Sequence, residues 1–117
     1  LMMVYPVGNY IRASEIKPFF QLGETKYGKP ILDRLIRNET SLGDAARCAL
    51  VSFDSTMKSD LTVGPPIDLV VYKKDSIQIS LEEHLQFKTP FFSDLSSKWS
   101  EGLRNLFGEL PKFDWEE

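Results

Sequence analysis

Apolar residues in the first part of the sequence occur in short runs separated by turn-forming residues. Residues 1–13 form one such run, interrupted by Gly8-Asn9, a pair that tolerates positive φ angles and is typical of two-residue hairpin turns. Residues 19–22 form a second apolar run. Gly28-Lys29-Pro30 then begins a helix, because proline in the first helical turn has no hydrogen bond to lose. We therefore predict a hairpin, a short strand at residues 19–22 and a helix that ends at residues 38–40.

The clearest helix is predicted at residues 41–57. Thr40 or Ser41 can cap its start, and Asp44 is an acidic residue in its first turn. Apolar positions at intervals of three and four residues define one stripe over about four turns. They are Leu42, Ala45, Ala46, Ala49, Leu50, Phe53 and Met57. Cys48 lies beside this stripe, where a packing role is more common than a reactive thiol.

Two strands and a last helix are predicted in the second half of the sequence. Residues 67–72 are almost all apolar, which predicts a strand buried on both faces. Residues 77–81 alternate between apolar and polar side chains, which predicts a strand with one exposed face. Apolar residues at helical spacing from Phe92 to Leu106 predict an amphipathic helix that ends near Gly108. The order strand, strand, two helices, strand, strand, helix indicates an α+β fold.

Composition and charge narrow the class of protein. The chain has 117 residues, 42% of them hydrophobic and 26% charged, which is ordinary for a globular domain. A net charge of −3 argues against nucleic acid or an anionic membrane as a partner. No apolar run reaches the roughly 18 residues of a membrane-spanning helix. The single cysteine excludes an internal disulfide and fits a cytoplasmic location.

We expect residues 1–117 to form a single partial domain, with an acidic C-terminal tail from about residue 108. The reason is the apolar, strand-like start of the chain, since an edge strand of this kind needs pairing partners.

Few residues in the sequence are candidates for a catalytic or binding role. Residues 23–28, GETKYG, match neither glycine-rich phosphate-binding pattern. Thr25 would need a neighbouring base to act as a nucleophile, and the sole histidine, His84, is expected at a solvated surface with Glu82 and Glu83. Asp60 follows the long helix, where backbone carbonyls lose their intrahelical partners. It either contributes to a cation or amine site or caps its own turn.

Two stretches of the sequence resemble a known family. Residues 20–34, FQLGETKYGKPILDR, and residues 50–57, LVSFDSTM, resemble the bacterial proteasome-type proteases called Anbu, the ancestral beta subunit. The resemblance covers nearly all of this chain but only the C-terminal half of that family's subunit. It implies the N-terminal-nucleophile hydrolase fold, a four-layer αββα sandwich of two sheets between helix layers.

The resemblance also implies a function. The family consists of threonine-type peptidases in which an N-terminal threonine attacks the peptide bond with its own amine as base. Identical subunits assemble into a ring or ring-like shell that degrades proteins and peptides, and no cofactor is required. The nucleophile would lie outside this chain, so this chain alone is expected to be inactive. Two alternatives stay open: a non-catalytic structural subunit of the same fold, and a small α+β protein-interaction module.

The same resemblance assigns site residues. The family's Gly-Ser-Gly turn beside the nucleophile corresponds to Gly23, Glu24 and Thr25, which are expected to line the cleft. Asp60 corresponds to the aspartate of Arg-Asp-x-x-Ser-Gly and is expected to be an accessory catalytic residue that orients the nucleophile's amine. Glu24 and Val63 stand where that pattern has serines. A structural cation, monovalent or Mg²⁺, is expected on three backbone carbonyls, those of Met57, Asp60 and Val63.

Overall fold

The computed structural model describes residues 1–116. Its elements follow the predicted order and are β1 (Met2–Val4), β2 (Tyr10–Arg12), α1 (Lys29–Leu35), α2 (Leu42–Ser59), β3 (Ile67–Tyr72), β4 (Ile79–Leu85) and α3 (Pro90–Gly108). The strands form two separate antiparallel sheets, β1–β2 and β3–β4. The described fold is therefore α+β, as predicted. Glu117, the last residue of the predicted acidic tail, lies outside the described residues.

The N-terminal hairpin turns earlier than predicted. The Tyr5 N–H donates to the Asn9 carbonyl at 2.8 Å, and the Gly8 N–H donates to the Tyr5 carbonyl at 2.9 Å. Gly8 has a φ of +91°, the left-handed conformation that closes a three-residue hairpin loop. The loop is therefore residues 6–8, and Asn9 already pairs with the opposite strand.

The strand predicted at residues 19–22 is wrong, since the described chain has no strand there. A strand requires a hydrogen-bonded partner, and β1 and β2 pair only with each other. The apolar side chains Phe19 and Phe20 are instead half-buried in an irregular segment. Helix α1 begins after Gly28, as predicted, but ends at Leu35, because the backbone of Ile36 is already extended.

Helix α2 is capped as predicted, because the Ser41 hydroxyl oxygen accepts the Asp44 N–H at 3.1 Å. Its buried positions, however, are not confined to one stripe. Phe53 belongs to the predicted stripe and is 46% exposed, whereas Cys48 is buried, as a packing residue should be. The consecutive residues Leu50, Val51 and Ser52 are all buried, and α1, α3 and β3 all contact this helix, so no single face is its inside.

The core lies between α2, the β3–β4 sheet and the start of α3. Its most completely buried large side chains are Leu50 and Phe92, which are 2% and 1% exposed. The buried cluster consists of Leu50, Met57, Ile67, Leu85 and Phe92. Burial of one such side chain stabilises the fold by about 1.5–3 kcal/mol. This small cluster therefore holds the three elements together.

The β3–β4 sheet is covered on one face only. Ile67 is buried, but Val70 and Tyr72 are 53% and 52% exposed, so side chains alternate between core and solvent along β3. The prediction that residues 67–72 are buried on both faces is therefore wrong, because an antiparallel pair can leave one face open. Strand β4 starts later than predicted, since Ile77 has a φ of +58°, which is outside the strand region.

The described fold is open rather than closed around one core. Its accessible surface is 9423 Å², whereas a closed monomer of this mass exposes about 6,500 Å². The radius of gyration is 17.0 Å, against about 13 Å for a compact domain of this length. Residues 101–110, in the distal part of α3 and just beyond it, are exposed throughout. Within residues 1–116, no helix has both the length and the apolar character needed to cross a bilayer.

Candidate functional site

The predicted cleft turn, Gly23 to Thr25, lies directly before α1. Gly23 has a φ of +78°, a conformation that side-chain-bearing residues rarely adopt. A Glu24 carboxylate oxygen accepts the Lys26 N–H at 2.9 Å, and the Thr25 carbonyl accepts the Lys29 N–H at 3.0 Å. Local hydrogen bonds therefore join this turn to the first residues of α1.

Gly28 anchors the turn to the middle of α2. The residue is buried, and a Cβ added there would overlap the Ser52 hydroxyl and lie 3.1 Å from the Ser52 carbonyl oxygen. Glycine is needed here because the two backbones approach too closely for a methyl group. The sequence indicated Gly28 only as the start of a helix, since its partner is far away along the chain.

Asp60 is the C-cap residue of α2, with its N–H donating to the Thr56 carbonyl at 2.8 Å. Its carboxylate accepts the Thr62 hydroxyl at 2.6 Å and the Thr62 N–H at 2.9 Å. These two bonds favour the charged form and hold the pKa of the Asp60 carboxyl below its usual range. Asp60 thus caps its own loop, which is the simpler of the two roles expected from the sequence. Its accessory catalytic role stays a prediction.

The last turn of α2, with Met57, and the loop after it, with Asp60 and Val63, contain the carbonyls of the predicted cation site. The Asp60 carbonyl accepts the Val63 N–H at 3.2 Å, which leaves its second lone pair for another partner. The Met57 side chain is buried in the core, and Val63 packs against that cluster. Residues 1–116 contain no group of three or more His, Cys, Asp or Glu side chains suited to a metal ion. A cation in this loop would therefore need neutral backbone oxygens, which are suitable ligands for hard cations.

Two cavities border the Gly23–Thr25 turn. The first, which we call the Glu24 groove, has a volume of about 290 Å³ and is lined in part by Glu24, Val63 and Ser52. The second, which we call the Arg12 pocket, has a volume of about 320 Å³ and includes Thr25 in its wall. The structure thus brings together the two positions that depart from the family pattern. Gly23 and Asp60 line neither cavity.

A buried carboxylate between α2 and α3 has no clear signature in the sequence. Asp54 is 4% exposed, and its Oδ1 accepts the Ser96 hydroxyl at 2.5 Å. Its Oδ2 lies 3.6 Å from Lys58 Nζ, which donates to the Ser100 hydroxyl at 2.6 Å. The only signal in the sequence is that Asp54 and Lys58 in α2, and Ser96 and Ser100 in α3, are four residues apart. Such pairs are equally common on exposed helix faces. These contacts fix how α3 lies along α2.

His84 is exposed, as predicted, and so are Glu82 and Glu83. Its Nδ1 lies 2.6 Å from Asp68 Oδ1 on the paired strand, and both side chains are more than half exposed. This pair therefore belongs to the solvated face of the β3–β4 sheet and not to either cavity.

Solved structures include proteins similar to this chain in both sequence and fold. Anbu from Hyphomicrobium sp. strain MC1 is 48% identical with a TM-score of 0.91, over 97% of this chain and 48% of its own. The helical assembly of the Anbu complex from Pseudomonas aeruginosa is 46% identical with a TM-score of 0.90, over 97% of this chain and 47% of its own. Anbu, the ancestral beta-subunit, from Yersinia bercovieri is 41% identical with a TM-score of 0.90, over 97% of this chain and 48% of its own. The chain thus spans about half the length of these relatives. No protein-family profile and no curated protein matches it.

Proposed function

The chain belongs to the Anbu family, the ancestral beta-subunits of bacterial proteasome-type proteins, and we propose that it is the C-terminal half of a threonine-type peptidase subunit. In this proposal an N-terminal threonine outside the chain attacks the peptide carbonyl, and water then releases the acyl-enzyme. The observation that carries the proposal is the 48% identity over 97% of the chain and only 48% of the relative.

The uncovered surface of the chain supports this proposal. About 2,900 Å² more is accessible than a closed monomer of this mass would expose. Each of the two described sheets has only two strands, so each strand has one free edge. In the proposed four-layer αββα sandwich, the other half of the subunit pairs with such free edges, which would otherwise be prone to aggregation.

Asp60 is the proposed accessory residue of the reaction. A negative charge near the threonine's amine raises the pKa of that amine, because the charged form is favoured. The carboxyl of Asp60 has a lowered pKa and so remains ionised at neutral pH. Val63 has no hydroxyl, so the task falls on Asp60 alone. In this proposal the cleft wall is formed by Glu24 and Thr25, each of which lines a cavity, together with Gly23 of the same turn.

The proposed structural cation, monovalent or Mg²⁺, would be held by the carbonyls of Met57, Asp60 and Val63. It would order the loop after α2, and the reaction itself requires no cofactor. Replacing K⁺ and Mg²⁺ by choline should therefore lower the melting temperature of the complete protein. An unchanged melting temperature in all three salts would contradict the cation site.

The proposed assembly consists of identical subunits. The Pseudomonas aeruginosa relative is described as a helical assembly. In this chain Leu103, Leu106 and Phe107 recur at helical spacing in α3 and are about half or more exposed. In this proposal the protein degrades peptides and proteins in the cytoplasm, with neither nucleic acid nor a membrane as partner, which fits one cysteine and a net charge of −3.

A non-catalytic structural subunit is the second candidate, and one observation favours it. Glu24 and Val63 replace two serines of the family pattern and line the same groove. A serine hydroxyl both donates and accepts hydrogen bonds, whereas the Glu24 carboxylate only accepts them and the Val63 side chain does neither. Such a subunit would keep its place in the shell without hydrolysing peptides. The long match to Anbu argues against the third alternative, an unrelated interaction module.

Peptide hydrolysis by the complete protein tests the proposal. Fluorogenic peptides are offered to the wild type, to a variant with alanine in place of the N-terminal threonine, and to Thr25→Ala as a matched control in this chain. The proposal predicts that the variant without the N-terminal threonine loses all activity, whereas Thr25→Ala, which changes only the cleft wall, keeps measurable activity. An assembled wild-type protein that cleaves no peptide would favour the structural subunit. Activity lost in Thr25→Ala alone would place the nucleophile in this chain.

A further inference from the structure

The Arg12 pocket concentrates positive charge on a chain whose net charge is −3. Its charged wall residues are Arg12, Lys17, Lys29 and Asp33. Lys29 Nζ is 2.6 Å from Asp33 Oδ2, so this lysine is neutralised. Arg12 and Lys17, by contrast, have no acidic partner within 4.0 Å among residues 1–116. The pocket therefore contains two cations that form no ion pair with a carboxylate among residues 1–116.

Both cations extend from backbone that is already hydrogen-bonded. Arg12 ends β2, and its guanidinium carbon lies 5.9 Å from the centre of the Tyr10 ring, a cation–π contact. Lys17 closes a turn in which its N–H donates to the Ser14 hydroxyl oxygen at 3.1 Å and its carbonyl accepts the Ser14 N–H at 3.1 Å. Ordering of these segments therefore costs little when a ligand binds.

The charge of Lys17 extends across the pocket. Lys29, through its hydrogen bond, is the main cause of the lowered pKa of the Asp33 carboxyl, and Lys17 and Arg37 lower this pKa further through their charge. An anion in the pocket would experience the same positive field.

The remaining wall suits a peptide better than a small inorganic anion. Met3, Ile11 and Phe19 supply apolar surface, and the volume of about 320 Å³ is roughly ten times the ~30 Å³ that a water molecule takes up in the liquid. Gln21 also lines the pocket, and its Oε1 is buried without a hydrogen-bond partner among residues 1–116. This amide oxygen can accept an N–H group of a peptide backbone once a movement of the wall exposes it, and Gln21 also lines the Glu24 groove.

We propose that the Arg12 pocket binds the carboxylate of an acidic residue in a peptide substrate, with Arg12 and Lys17 as the recognising cations. The planar guanidinium matches both oxygens of a carboxylate, and the ammonium of Lys17 adds a second charge. Asp33 weakens this binding because it neutralises Lys29. The identity of the ligand as substrate rests on the proposed peptidase function, since Thr25 belongs both to this pocket and to the predicted cleft turn.

Direct binding tests the pocket without requiring turnover. A rhodamine-labelled peptide with one glutamate between alanines is titrated with the complete protein, and the same peptide with glutamine in place of glutamate is the control. Fluorescence anisotropy should show about tenfold tighter binding of the glutamate peptide, the size expected for a charge-assisted contact. This preference should fall in Arg12→Gln and Lys17→Gln and persist in Arg104→Gln, an exposed residue of α3. Asp33→Asn should strengthen it, because Lys29 is then free.

Equal affinity for the two peptides would overturn the inference, and so would an undiminished preference in Arg12→Gln. Binding that prefers glutamate in a protein that hydrolyses no peptide would support the pocket and refute the peptidase. Hydrolysis without this preference would refute the pocket alone. If Arg12→Gln changes only the size of the assembly, the pocket serves a neighbouring copy and the assignment to substrate is wrong.

Discussion

Replacing Gly28 by alanine should destabilise the protein, because the start of α1 lies directly on α2. The new methyl group would overlap the Ser52 hydroxyl and lie 3.1 Å from the Ser52 carbonyl oxygen and 3.2 Å from its Cβ. The hydroxyl can rotate away, but the carbonyl is part of α2, so the helices must separate. Overpacking of this kind costs about 1–3 kcal/mol, and alanine recovers about 0.4–1 kcal/mol by restricting the unfolded chain. We expect a net loss of about 1–2 kcal/mol.

Urea denaturation of the complete protein measures this loss, with two further variants as controls. Gly102→Ala makes the same change in α3, where the new methyl group would meet no atom within 4 Å apart from the neighbouring backbone of its own helix. It should stabilise the helix by about 0.5–1 kcal/mol. Adding Ser52→Ala to Gly28→Ala removes the overlapping hydroxyl and should restore part of the stability. If Gly28→Ala is as stable as the wild type while Gly102→Ala is stabilised, α1 does not pack on α2 as described.

Three other substitutions test separate parts of the structure. Asp60→Asn should lower peptide turnover by roughly 10–100-fold with the fold intact, and a wild-type rate would remove Asp60 from the site. Because the pKa of this carboxyl is lowered below 3.8, any stability that it supplies should be present at neutral pH and lost as the pH falls through the lowered value. Asp54→Ala should cost about 1–3 kcal/mol in urea denaturation, since the buried carboxylate joins α2 to the half-buried Ser96 of α3. Asp94→Ala, which breaks an exposed ion pair, should cost less than about 1 kcal/mol, and equal losses would contradict the buried contact. Ala46 lines a cavity of about 420 Å³, so Ala46→Leu should change stability by less than about 1 kcal/mol, and a larger loss would mean that another surface fills the cavity.

The helices were predictable because their signals lie within a few residues of each other. Ser41 is a capping residue followed by an apolar periodicity, and α2 begins directly after it. The end of α3 at Gly108 was likewise indicated by the last apolar residues of its repeat. The family was recognised from two continuous stretches, and the solved relatives confirm it.

Features that depend on distant residues could not be predicted from local patterns. The apolar run at residues 19–22 is strand-like in composition, but whether it forms a strand depends on a partner elsewhere. The bond between Asp54 and Ser96 joins positions 42 residues apart. In the sequence the basic residues are spread among acids, whereas folding brings Arg12, Lys17 and Lys29 to one pocket.

We propose that this chain is one half of a threonine peptidase subunit whose nucleophile lies in the other half. A peptide epoxyketone tests it most directly, because it forms its ring adduct with a hydroxyl and a free amine of the same residue. The complete protein is incubated with this reagent and digested, and mass spectrometry locates the adduct. We expect a single adduct on an N-terminal threonine outside residues 1–117. An open-chain adduct on Thr25 or another internal hydroxyl of this chain, or no adduct on an assembled protein, would contradict this proposal.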